Sequence, residues 1–145
     1  MTNVTLPHDL KTMSAPGLVL VVDDHAESRA ILTAQLCHLG FQVVEVDSAE
    51  RCLTLIDGVE DRAVEGVVLD LHLAMPDGHN LLSNLRQRHA GIPVIVVSEL
   101  TDVGRAREAI RLGAQEYLVK PFDLELLRSK CLRVFMRRIQ QNCPC

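Results

Sequence analysis

Several short aliphatic runs in this 145-residue chain end on side chains that can do chemistry. "GLVLVVDD" (17–24) ends on Asp23 and Asp24, "GVVLDL" (66–71) carries Asp70, "IPVIVVS" (92–98) ends on Ser98, and "GAQEYLV" (113–119) runs into Lys120. A single Asp at a strand end is usually a turn former or a helix cap. Carboxylates, a hydroxyl and an ammonium at successive run ends carry more meaning if those ends meet. Neighbouring carboxylates resist simultaneous ionisation, and partial burial raises the cost. A hard divalent cation relieves it, so Asp23, Asp24 and Asp70, with the backbone carbonyl of His72, form a candidate site for Mg2+ (or Mn2+). A carboxylate can also attack phosphorus. Asp70 stands apart from the acidic pair and is the candidate nucleophile, with Lys120 and the Ser98 hydroxyl available to offset charge on transferring oxygens.

The intervening segments explain how these residues could meet. Helical spacing over residues 27–39 puts Ala30, Ile31, Ala34 and Leu36 or Cys37 on one apolar face, with Gly40 as a stop. "FQVVEV" reads as a strand, and residues 49–57 as a helix bounded by Gly58. Leu81, Leu82 and Leu85 mark a helix in "HNLLSNLRQRH", and Val103, Ala106, Ala109, Ile110 and Leu112 mark one over residues 102–112. Asp123 can cap a last helix, in which Leu124, Leu127, Cys131, Val134 and Ile139 recur at helical spacing. The order is an alternation of strand and helix. Strands this uniformly aliphatic suit a parallel sheet covered on both faces. In such a sheet every strand delivers its C-terminal end to the same edge, where ligands bind.

Composition narrows the function classes. The net charge of -4, from 19 acidic and 15 basic residues, leaves no basic footprint for direct nucleic-acid binding. Apolar runs are too short to span a bilayer, and no signal peptide is visible, so no membrane insertion and a cytoplasmic location are expected. The 5 cysteines cannot all pair within one chain. Cys37, Cys52 and Cys131 fall at apolar helical positions, where buried thiols are ordinary. The terminal "CPC" is a weak metal signal on its own. Residues 1–16 read as a loose leader, 17–140 as one α/β domain and 141–145 as a short tail, with no second domain expected.

"VLVVDD" followed by a helix, "VVLDLHL" with Gly78, "PVIVVS" and "GAQEYLVKPF" together resemble the receiver (response-regulator) domains of bacterial two-component signalling. The resemblance covers residues 17–138. It implies a flavodoxin-like (βα)5 doubly wound parallel sheet of strand order 2-1-3-4-5. It implies that Asp23 and Asp24 are the acidic pair, Asp70 the phosphoacceptor, Ser98 the switch hydroxyl and Lys120 the lysine of the site. Tyr117 matches an aromatic that swings inward on phosphorylation, and Pro121 a proline whose peptide bond is usually cis. The phosphodonor would be a histidine kinase or a histidine phosphotransfer protein. The domain would catalyse its own phosphorylation and dephosphorylation rather than act as an enzyme in the usual sense.

Three departures bear on rate. Ala74 stands where many relatives have proline, with Pro76 two residues later. Glu99 follows Ser98 where a small residue is expected, and His72 occupies a position that tunes dephosphorylation. Glu99 and the altered loop motivate an alternative, a degenerate receiver acting as a phosphorylation-independent interaction module. Apolar residues beyond the core set on the last helix, Leu126, Phe135 and Met136, with Arg105 and Arg111 on the preceding one, suggest a homodimer or partner surface on the helix 4–strand 5–helix 5 face.

Overall fold

The structure, a computed structural model, describes residues 17–71 and 77–135. The strands are β1 (Leu18–Val22), β2 (Gln42–Val46), β3 (Val64–Asp70), β4 (Val94–Glu99) and β5 (Glu116–Lys120). The helices are α1 (Ala26–His38), α2 (Ala49–Asp57), α3 (Asp77–Arg88), α4 (Val103–Arg111) and α5 (Leu124–Val134). All strand pairs are parallel, in the order β2-β1-β3-β4-β5. This is the doubly wound, flavodoxin-like architecture expected from the alternation of aliphatic strands and helices. Short 3-10 helices at Asp61–Ala63 and Leu100–Asp102 were not legible beforehand, and β3 begins at Val64 rather than Gly66.

Each strand alternates its side chains between two cores. Leu20, Val22, Val67, Leu69, Val94 and Val96 pack with Cys52 and Ile56 of α2, Leu81, Leu82 and Leu85 of α3, and Ala106 and Ala109 of α4. On the other face, Val19, Val21, Val68, Ile95 and Val97 meet Leu32 and Leu36 of α1 and Leu127, Cys131 and Val134 of α5. Burial of each such aliphatic side chain contributes about 1.5–3 kcal/mol, which explains why the runs are so monotonously apolar.

Helix ends follow local chemistry. Ser48 caps α2 by accepting the Arg51 N–H at 3.2 Å, and Asp123 caps α5 by accepting the Leu126 N–H at 2.8 Å, as expected. Gly40 (φ 102°) and Gly113 (φ 114°) end α1 and α4 in the left-handed region that favours glycine. Gly113 has a second reason to lack a side chain, because a Cβ there would overlap the Arg86 stem.

Two packing expectations fail. In α1 the buried residues are Leu32 and Leu36, while Ala30, Ile31, Ala34 and Cys37 face solvent. The helix carries apolar residues on both sides, so periodicity alone did not fix the inward one. Phe135 is fully buried and therefore unavailable as a surface residue. Its ring packs edge-on against Phe41, with centroids 6.0 Å apart, and fills the space over Gly66, where any Cβ would overlap it.

Candidate functional site

The loaded strand ends meet at one edge, and the backbone fixes each before its side chain acts. Asp23 leaves β1 with its N–H donating to the Val46 carbonyl at 3.1 Å. Its own carbonyl accepts from Arg29 Nη1 at 2.8 Å, while Arg29 Nε donates to Glu45. Asp70 ends β3 in register with Val97, and the next residue donates its N–H to the Val97 carbonyl at 2.8 Å. Parallel register also sets Ser98 opposite Val119 and Glu99 opposite Lys120.

Two of the loaded side chains, Asp70 and Lys120, meet directly. Asp70 is 1% exposed, and Lys120 Nζ donates to its Oδ2 at 2.7 Å across 50 residues of chain. The same ammonium donates to Ser28 Oγ at 3.1 Å. The Lys120–Pro121 peptide bond is cis. Asp23 is wholly buried; its Oδ1 accepts the His25 N–H at 2.9 Å, and its Oδ2 has no hydrogen-bond partner among the described residues. Burial raises the Asp23 pKa above the ordinary carboxylate value and the adjacent Asp70 charge adds to that, outweighing the lowering by the His25 N–H and Ser28. Ser98 is 1% exposed, and its Oγ likewise lacks a partner among the described residues.

A divalent cation fits this donor set. A buried carboxylate oxygen without a partner, beside a second carboxylate, is costly as it stands and suits a hard cation. Asp24 is exposed, and ligand atoms of Asp23, Asp24 and His25 all lie within 4.8 Å of one another. Lys120, with Ser28, faces Asp70, and the Ser98 hydroxyl, without a partner among the described residues, lies on the adjoining strand end. One carboxylate is thereby left between a cation arm and a lysine.

Other expected residues fall in varied places. His72, Ala74, Pro76 and Met136 lie outside the described residues, as do the leader and the Cys-Pro-Cys tail. Glu99 is half-buried at the end of β4. Tyr117 is half-buried on β5, with Lys130 Nζ 5.7 Å from its ring centroid. Lys130 also pairs with Glu116 at 3.1 Å, and Arg133 pairs with the same carboxylate at 3.3 Å. Arg105, expected on a partner surface, instead reaches back to donate to the Leu71 carbonyl at 2.7 Å, directly after Asp70. Arg111 is a solvated residue paired with Glu108 at 3.4 Å. Leu126 is exposed, and Leu132 and Ile110 share that character on α5 and α4.

Sequence reasoning missed Ser28, His25, Arg29 and the contact of Arg105 with the Leu71 carbonyl. Ser28 and Arg29 sit in the first turn of the helix that leaves the acid-bearing strand, so they necessarily rise beside the strand ends. That position was the available signal.

Comparison with known proteins places the arrangement. A family model described as response regulator receiver domain matches residues 19–132. The chain is 32% identical over 123 residues to a probable transcriptional regulator ycf27 of Porphyridium aerugineum, covering 85% of this chain and 49% of that protein. It is 38% identical over 109 residues to the response regulator protein FleR of Pseudomonas aeruginosa, covering 75% of this chain and 22% of that protein. The chain therefore spans half or less of these curated relatives. Among solved structures, the receiver domain of NtrX from Brucella abortus superposes with a TM-score of 0.73 at 30% identity, covering 82% of this chain and 98% of that one. Full-length FixJ from B. japonicum gives a TM-score of 0.73 at 30% identity, covering 88% of this chain and 60% of that one.

Proposed function

Because the chain belongs to the response regulator receiver family, we propose that it accepts a phosphoryl group on Asp70 from a phosphohistidine partner and uses it to switch an interaction surface. The observation that carries this reading is the buried Asp70 carboxylate held at 2.7 Å by Lys120. Asp70 attacks phosphorus in line, the P–N bond of the donor breaks, and the imidazole leaves with the electron pair. Lys120 offsets the charge on the phosphoryl oxygens, and the Ser98 hydroxyl donates a hydrogen bond to one of them. Asp23, Asp24 and Asp70 would hold a divalent cation, Mg2+ or Mn2+, which supplies charge neutralisation to the phosphoryl oxygens when bound. Water later hydrolyses the acyl phosphate and restores Asp70.

The donor is a histidine kinase or a histidine phosphotransfer protein in the cytoplasm. α1 begins beside the acidic pair and turns Ala30, Ile31 (60% exposed) and Ala34 to solvent. This apolar surface next to the site suits a helical donor. Ser98 moving to the phosphoryl group lets Tyr117 turn inward from its place under Lys130, and the α4–β5–α5 face, with Ile110, Leu126 and Leu132, changes shape. In this reading residues 17–140 form the receiver unit, and the exposed α4–β5–α5 residues bind a partner or a second copy.

Intact-mass measurement after acetyl phosphate and Mg2+ tests the assignment. One phosphoryl group per chain is expected on wild type and none on Asp70→Asn. A folded wild type that stays unlabelled overturns it and favours the phosphorylation-independent module, for which Glu99 beside Ser98 is the supporting observation.

A further inference from the structure

Asp23 is held on three sides before any ion arrives. Its N–H donates to Val46 and its carbonyl accepts from Arg29. Its Oδ1 accepts the His25 N–H at 2.9 Å. That last bond draws the turn tight and brings the His25 side chain back toward the acids, with Nδ1 3.3 Å from Asp24 Oδ1. Two independent observations then coincide. The Asp23 Oδ2 atom is buried with no partner among the described residues, and an imidazole nitrogen joins the two carboxylates within 4.8 Å. The imidazole is 70% exposed, so an ion from solution can reach its nitrogen.

We propose that His25 makes this a mixed oxygen–nitrogen site that takes borderline transition-metal ions, of the Co2+, Ni2+ and Zn2+ class, with the imidazole as a ligand. The inference rests on the reading that Asp23 and Asp24 hold a divalent cation, and it adds a selectivity to that reading. Mg2+ demands oxygen ligands and gains little from imidazole. Along the Irving–Williams series a neutral imidazole adds progressively more affinity, so His25 acts on the transition ions while leaving Mg2+ indifferent. The ion that occupies the acidic pair thus depends on which metals the surroundings offer.

Titration calorimetry with Co2+ and with Mg2+, on wild type and His25→Ala, tests this, with the visible Co2+ spectrum as a second readout. The exposed side chain and the retained backbone N–H make His25→Ala a benign change for the fold. In the variant, Co2+ affinity is expected to fall at least about tenfold, a loss of the size seen when metal-site support is removed. Mg2+ affinity is expected to stay unchanged, and excess Mg2+ to displace Co2+ from wild type. Equal Co2+ affinity in wild type and His25→Ala, with Mg2+ still bound, overturns the inference and leaves the cation site standing. An apparent Co2+ affinity that does not fall as Mg2+ is raised places Co2+ elsewhere and overturns it too. A wild type that binds neither ion overturns the inference together with the cation site.

Discussion

Replacing Asp23 by Asn should stabilise the cation-free protein. In wild type the buried Oδ2 has no partner among the described residues, and burial together with the Asp70 charge raises the Asp23 pKa. Asn keeps an oxygen for the His25 N–H and puts an amide donor where Oδ2 meets the neighbouring carboxylate. Relief of an unsatisfied buried acceptor is worth about 1–3 kcal/mol, or roughly 3–10 °C in midpoint for a domain of this size. The pH dependence has a definite sign. For an acid whose folded pKa lies above its unfolded value, the stability it lends is fully present below the unfolded pKa, near 3.8. That stability is lost as pH rises through the folded value. The gap between Asp23→Asn and wild type therefore opens with rising pH and closes in acid. If Asp23 holds Mg2+ as proposed, the ion should narrow or reverse the gap, since at about a hundred times its dissociation constant it adds about 2.7 kcal/mol to the form that binds it. Thermal unfolding followed by circular dichroism, in EDTA and in Mg2+, reads both effects. A folded Asp23→Asn that melts at or below wild type in EDTA at neutral pH refutes the reasoning.

Other outcomes follow from particular contacts. Gly66→Ala drives a methyl into the Phe135 ring and should cost about 1–3 kcal/mol by overpacking, read as a lowered denaturant midpoint. His89 places Nδ1 2.7 Å from Asp61 and Nε2 2.8 Å from Asp57, and Arg88 also pairs with Asp57. Burial lowers the His89 pKa, but the hydrogen bonds and charges of both aspartates outweigh it and the net shift is upward. The stability of wild type over His89→Gln should therefore be full below about pH 6.5 and fade as pH rises through the raised value, read by melting across that range. Cys52 and Cys131 are buried, with thiol pKa values pushed up to about 12. Of the described thiols only exposed Cys37 should react with a disulfide reagent before unfolding.

The fold was legible because parallel strands buried on both faces must be aliphatic, as β1, Val67–Leu69 of β3 and Val94–Val97 of β4 are. The site was legible for a topological reason. Once the strands are parallel, Asp23, Asp70, Ser98 and Lys120 can only arrive at one edge, whatever their separation in sequence. Orientation was harder to read. α1 carries apolar residues on both sides, so Leu32 and Leu36 could not be told from Ile31 and Ala34 until the sheet chose between them. Phe135 looked like a surplus apolar residue on α5 because its pocket is the missing side chain of Gly66 on β3. Arg105 looked like a solvated charge because its acceptor is the backbone carbonyl of Leu71, and no pattern of side chains announces a carbonyl.

Tyr117 is the only tyrosine in a chain without tryptophan. Its ring lies under Lys130, on the strand that also delivers Lys120 to Asp70. With excitation beyond the phenylalanine band, emission from the unlabelled protein therefore comes from Tyr117, with an ammonium over one face of the ring. Loss of that neighbour, or entry into the apolar interior, alters intensity and lifetime without any dye or engineered probe. Any change in the surroundings of β5 can thus be recorded from one native fluorophore in a single cuvette.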